Sequence, residues 1–157
     1  MVYEVFNLFL TVCIAISIPF LVKKTIDDKR AIKSFLTDEV KETLDCLLKI
    51  KGLIQDCYFS GIINDQNKDD IIRNFNELEI QINSLNEQLE TSFNPESKKM
   101  INEIKEAYFK FDNFVTDDDL MSTHYTQIDS GFYREFIDQY SKLGLHLKKA
   151  IHKIHCY

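Results

Sequence analysis

Residues 71–89 read IIRNFNELEIQINSLNEQL. Ile71, Phe75, Leu78, Ile82, Leu85 and Leu89 follow one another at alternating steps of four and three, which is a heptad-type seam along one side of a helix. Asn76, Gln81, Asn83, Asn86 and Gln88 fall between these positions and are expected on the outer faces. The seam predicts a helix that starts near Asn67 or Asp69, since either side chain can accept a hydrogen bond from an otherwise unpaired amide of the first turn. Such a seam has two uses. It zips two chains together, as an oligomer or with a partner helix, or it packs against the chain's own neighbouring helix.

The same period extends outward on both sides. Towards the N-terminus, Ile32, Phe35, Leu36, Val40, Leu44, Leu47, Leu48, Leu53, Ile54 and Tyr58 form one broad apolar face. They predict a helix over about Thr25 to Tyr58, closed by Ser60-Gly61. Towards the C-terminus, Asn94-Pro95-Glu96 is a helix start: a capping residue, a proline at the first helical position, then an acid near the positive end of the helix dipole. Met100, Ile101, Ile104, Tyr108, Phe111, Phe114 and Val115 follow at helical spacing. Asp129-Ser130 opens a last helix, reaching about Ile154 with Phe132, Phe136, Ile137, Tyr140, Leu143, Leu147, Ala150, Ile151 and Ile154 inward. The chain has 157 residues with only four Gly and two Pro, too few for a sandwich, a barrel or a Gly-rich phosphate loop. The expectation is an all-α chain, with residues 25–157 forming a four-helix bundle.

Ahead of this body lies VFNLFLTVCIAISIPFLV, residues 5–22, eighteen residues without a charge. A helix of that length measures about 27 Å, near the lower limit for a hydrocarbon core. Glu4 precedes it, and Lys23, Lys24, Lys29 and Arg30 follow, the reverse of a cleaved signal peptide. Residues 1–24 are therefore expected to be a single-pass anchor in the bilayer, with Val5, Leu8, Val12, Ile16 and Phe20 along the span. The positive-inside rule then puts the N-terminus outside and the body in the cytoplasm. The join, KKTIDDKR, has no Gly or Pro and can continue as helix.

Chemistry is sparse. No GxSxG, HExxH, P-loop or dinucleotide fingerprint is present, which favours a protein that is not an enzyme and needs no cofactor. The acidic run Asp117 to Asp119, in the irregular stretch Thr116 to Asp129, lacks the alternating ligands of a calcium loop. The net charge of −6 argues against long nucleic acid as a partner. The exception is the last helix, where Lys142, His146, Lys149 and Lys153 share one stripe and Lys148, His152 and His155 a second. Cations near a helix C-terminus complement the dipole without any ligand. The number here goes further, so Lys142, His146, Lys149, His152 and Lys153 are candidates for holding phosphate. His152, His155 and Cys156 have metal-ligating chemistry, but at a chain end without supporting groups no metal site is expected.

A short N-terminal membrane segment (Val5 to Val22), a basic flank (Lys23, Lys24, Lys29, Arg30) and a small charged helical body resemble the membrane-associated effectors of type III CRISPR immunity. The resemblance covers the layout of the whole chain and rests on no diagnostic motif. It implies a defence protein of the bacterial inner membrane whose cytosolic domain binds a cyclic oligoadenylate and then acts on the membrane. A ligand with internal symmetry and several charges would call for a homo-oligomer that gathers several cationic stripes. The alternative is a structural membrane adaptor that recruits a partner through the seam of residues 71–89.

Overall fold

A computed structural model describes residues 2–92, 97–116 and 125–156, with the side chains of residues 2–16, 20 and 97 outside the description. All regular structure among these residues is helical. The four helices are α1 (Val2–Ser60), α2 (Asp65–Ser92), α3 (Ser97–Val115) and α4 (Ser130–Cys156). The chain divides into two compact units, residues 1–35 and residues 36–157.

The first unit is the opening part of α1. The expected anchor is not upheld: among the described residues, no helix is long and apolar enough to cross a membrane. The described side chains of the anticipated span are Ser17, Ile18, Pro19, Leu21 and Val22. From Lys23 onward the helix carries Lys23, Lys24, Asp27, Asp28, Lys29, Arg30 and Lys33, too many charges for hydrocarbon. Val5, Leu8, Val12, Ile16 and Phe20 lie outside the described side chains. Helix continues through KKTIDDKR without a break, as the absence of Gly and Pro there allows. With the anchor, the inner-membrane location and the N-outside orientation fall too.

The second unit is a four-helix bundle, as the apolar periodicity predicts. Its α1 portion carries Leu36, Val40, Thr43, Leu47, Ile50, Ile54 and Cys57 at alternating steps of four and three, all nearly inaccessible. Thr43 fits because its hydroxyl donates to the Glu39 carbonyl (2.8 Å) and leaves its methyl to the core. Ile32, Phe35 and Leu48, counted above into an apolar face, are instead exposed. Ser60 and Gly61 end the helix as expected. Gly61 takes φ +70°, the left-handed conformation a residue with Cβ avoids, and its amide donates to Tyr58 O (3.3 Å).

Asn64, rather than Asn67 or Asp69, caps α2, and it does so reciprocally. Its Oδ1 accepts from the Asn67 amide (2.9 Å) while Asn67 Oδ1 accepts from the Asn64 amide (3.1 Å). Asp129 caps α4, accepting at Oδ1 from Gly131 N (2.6 Å) and Phe132 N (2.9 Å). The Asn94-Pro95-Glu96 signal lies outside the described residues; α3 begins just after it, at Ser97.

Cross-helix contacts close the helices into a ring. The Cys46 thiol on α1 donates to Asn74 O on α2 (3.6 Å), and Phe75 on α2 meets Phe111 on α3 (5.1 Å between centroids). Phe111 meets Phe136 on α4 (5.6 Å), and Tyr133 on α4 stacks on Tyr58 of α1 (4.1 Å, 1° between planes). Each neighbour runs antiparallel, so the C-terminal end of α4 sits beside the start of α3. The seam Ile71, Phe75, Leu78, Ile82, Leu85 and Leu89 faces inward, each residue 2% exposed or less. It belongs to this chain's own core, and pairing it with a second chain would require the bundle to open.

Candidate functional site

The cationic helix α4 owes its form to the core stripe Phe136, Leu143, Leu147, Ala150 and Ile154, which fixes its rotation and turns the lysines outward. Gly144 faces α1, where a Cβ would make ordinary contact with Leu47 at 3.8 Å. The stripe anticipated from sequence then splits into two halves of different character.

The upstream half is already neutralised. Lys142 pairs with Asp138 one turn earlier, and that hydrogen bond raises the affinity of the amine for its proton. His146, half-buried, directs Nδ1 towards Glu103 Oε2 of α3 (3.5 Å), and the same glutamate lies 4.0 Å from Lys99 through its other oxygen. Glu103, Lys142 and His146, together with Glu106, Ala107, Lys110 and Gln139, line a shallow cleft of about 130 Å³ between α3 and α4. Two carboxylates and two ammonium groups face it, so its field is mixed. An anion entering there would meet Glu103 and Glu106 as well as the lysines.

The downstream half is open. Lys148, Lys149 and Lys153 are exposed, and none has a carboxylate within ion-pair distance among the described residues. Elsewhere in the bundle some lysines find acids, Lys41 with Asp38, Lys49 with Glu77 and Lys105 with Glu90, while Lys98 and Lys110 have none among the described residues. His152, also exposed, turns Nδ1 towards Cys156 Sγ (3.5 Å). Among the described residues, no three His, Cys, Asp or Glu side chains converge as metal donors. Residues 117–124, including the acidic run and His124, lie outside the described residues.

Two features escape a reading of the sequence. Asn86, placed above on an outer face, is 2% exposed, and neither atom of its amide has a hydrogen-bond partner. On α3, burial and then the nearby charge of Glu79 on α2 push the Asp112 carboxyl above its ordinary range. Burial, then Asp112 and Glu79, likewise raise the Tyr108 phenol. The buried thiols are of the unreactive kind: desolvation and then Glu77 lift Cys46 to about 11, and desolvation and then Asp56 raise Cys57. No protein-family model, no curated protein and no solved structure matches the chain.

Proposed function

We propose that this chain is a helical binding module whose α4 end holds the phosphate groups of a small anionic ligand. The supporting observation is the absence of acidic partners, among the described residues, around Lys148, Lys149 and Lys153 in a chain of net charge −6. Lys149 and Lys153 stand one turn apart on a common face, about 6 Å along the axis, a spacing suited to two neighbouring phosphates. Lys148 flanks them. The C-terminal dipole of α4 works against an anion and is outweighed by three full positive charges. Lys142 and His146 leave the proposed contact set, because Asp138 and Glu103 already occupy them.

A ligand with several phosphates, such as a nucleoside triphosphate or a cyclic oligoadenylate, engages more lysines than one copy offers. Sharing it between copies multiplies the charge at the site. The adaptor reading is the weaker one, since its seam is buried in the bundle.

Calorimetric titration of the full chain at low salt, with ATP and cyclic tetra-adenylate in parallel, tests the proposal. The double change Lys149→Glu and Lys153→Glu should weaken binding at least tenfold and flatten its salt dependence. Lys142→Glu should alter it little. Unchanged affinity in the double variant, or no binding of either compound to the parent chain, would overturn the reading.

A further inference from the structure

Among the open lysines of α4 stands a side chain whose charge depends on pH. His152 follows Lys149 by three residues and Lys148 by four, which makes it the surface neighbour of both on the helix. The ring is exposed, and its Nδ1 lies 3.5 Å from Cys156 Sγ, one turn further on. With the thiol donating to Nδ1, the neutral ring carries its own proton at Nε2. Among the described residues Nε2 has no hydrogen-bond partner, no side chain of α1, α2 or α3 bonds to the ring, and no carboxylate lies within ion-pair distance of it. One nitrogen is tethered, and the other is a free donor beside two unpaired ammonium groups.

We propose, resting on the phosphate reading of α4, that His152 is the pH-dependent contact of that site. Its Nε2 donates to a phosphate held at Lys149 and flanked by Lys148, and the bond strengthens once the ring is protonated. A hydrogen bond from a charged donor to a phosphate is roughly twice as strong as one from a neutral donor. The lysines stay charged from about pH 6 to about pH 8, whereas an imidazole changes charge within that range. Two other histidines lie on α4. His155 already has an interaction of its own, and His146 is directed at Glu103 of α3. The coupling is reciprocal: an anionic phosphate beside the imidazole favours its protonated form, so binding takes up protons near neutral pH. Cys156 is a positioning residue, since it touches Nδ1 and leaves the phosphate to Nε2.

The probe is cyclic tetra-adenylate, whose phosphodiesters stay fully ionised across this range, unlike a terminal phosphate monoester such as that of ATP. Calorimetric titration of the full chain at low salt should give an affinity roughly fivefold higher at about pH 6 than at about pH 8. Buffers of different ionisation heat should reveal the proton uptake. His152→Gln keeps an amide donor but cannot take up charge. It should bind like the parent at the higher pH and lose both the rise and the uptake. His146→Gln should keep both. Cys156→Ala should shrink the rise, and Cys156→Ser, which retains an O–H donor, should restore it. His152 and Cys156 are exposed, so unchanged far-ultraviolet circular dichroism at both pH values confirms that their variants are folded. Binding with a flat pH profile, a rise that survives His152→Gln, or one that Cys156→Ala leaves whole would overturn the proposal and leave the phosphate reading standing. Absence of binding at both pH values would overturn the two together.

Discussion

At the end of the bundle where α1 turns into α2, rings touch rings; at the other end, where α4 finishes beside the start of α3, the core is aliphatic and lysines stand outside it. The first end links Phe75, Phe111, Phe136, Tyr133 and Tyr58 in one chain of ring contacts, with Phe114 on Phe132 beside it. It is also tied across the loops, where the Ile63 amide donates to Thr126 O (2.9 Å) and Ile63 and Ile128 are buried. The second end is packed with Leu36, Val40, Leu85, Leu89, Ile101, Leu147, Ala150 and Ile154. The difference separates two tasks. Large rings bury more area per residue and concentrate cohesion at one end, while the aliphatic end leaves a helix terminus whose surface charge can vary without disturbing the core.

Truncation on each side gives the largest expected effects. Phe111→Ala should cost about 4 kcal/mol of unfolding free energy, and Leu147→Ala about 3 kcal/mol, both read from urea unfolding with unchanged slope. A Leu147→Ala loss that exceeds the Phe111→Ala loss would break the contrast. A smaller effect of opposite sign is expected at the aliphatic end. Asn86→Leu removes a buried amide with no partner and should stabilise by about 1 kcal/mol. Destabilisation would show that the amide is satisfied in solution.

The smallest effect depends on pH. Asp112 binds its proton more tightly in the folded protein than at its ordinary value of 3.8. Stability therefore falls as pH rises from that value through the raised one, and ionised Asp112 is a burden at neutral pH. Asp112→Asn should raise the melting temperature slightly at pH 7, and the gain should vanish on acidification towards pH 4. A gain independent of pH would locate the effect elsewhere.

Much of the architecture was legible because it is local. The α2 seam, the Ser60-Gly61 stop and the Asp129 cap each depend on residues within a turn or two of one another. The α1 seam was harder to read, since Thr43, Cys46 and Cys57 sit in its core while Ile32, Phe35 and Leu48 do not. Hydrophobicity alone ranks them the other way, and the rotation of α1 is decided by the helices packed against it. The anchor was misjudged: among the described residues no helix is long and apolar enough to cross a membrane, and α1 runs on into a charged segment. At the candidate site, the cationic stripes were visible as spacing. The Asp138 partner of Lys142 was also within reach, one turn away. Glu103 was not, because it comes from another helix and meets His146 only through the fold. Asn86 was invisible for the same reason.

The chain contains no tryptophan, so its near-ultraviolet optical activity comes chiefly from tyrosine and phenylalanine. The stacked rings of Tyr58 and Tyr133 are parallel within 1° and lie on different helices, so their transitions couple only while α1 and α4 are docked. The pair is a built-in optical gauge: loss of its coupled signal would report separation of these two helices, in an unlabelled protein, even where overall helicity is retained.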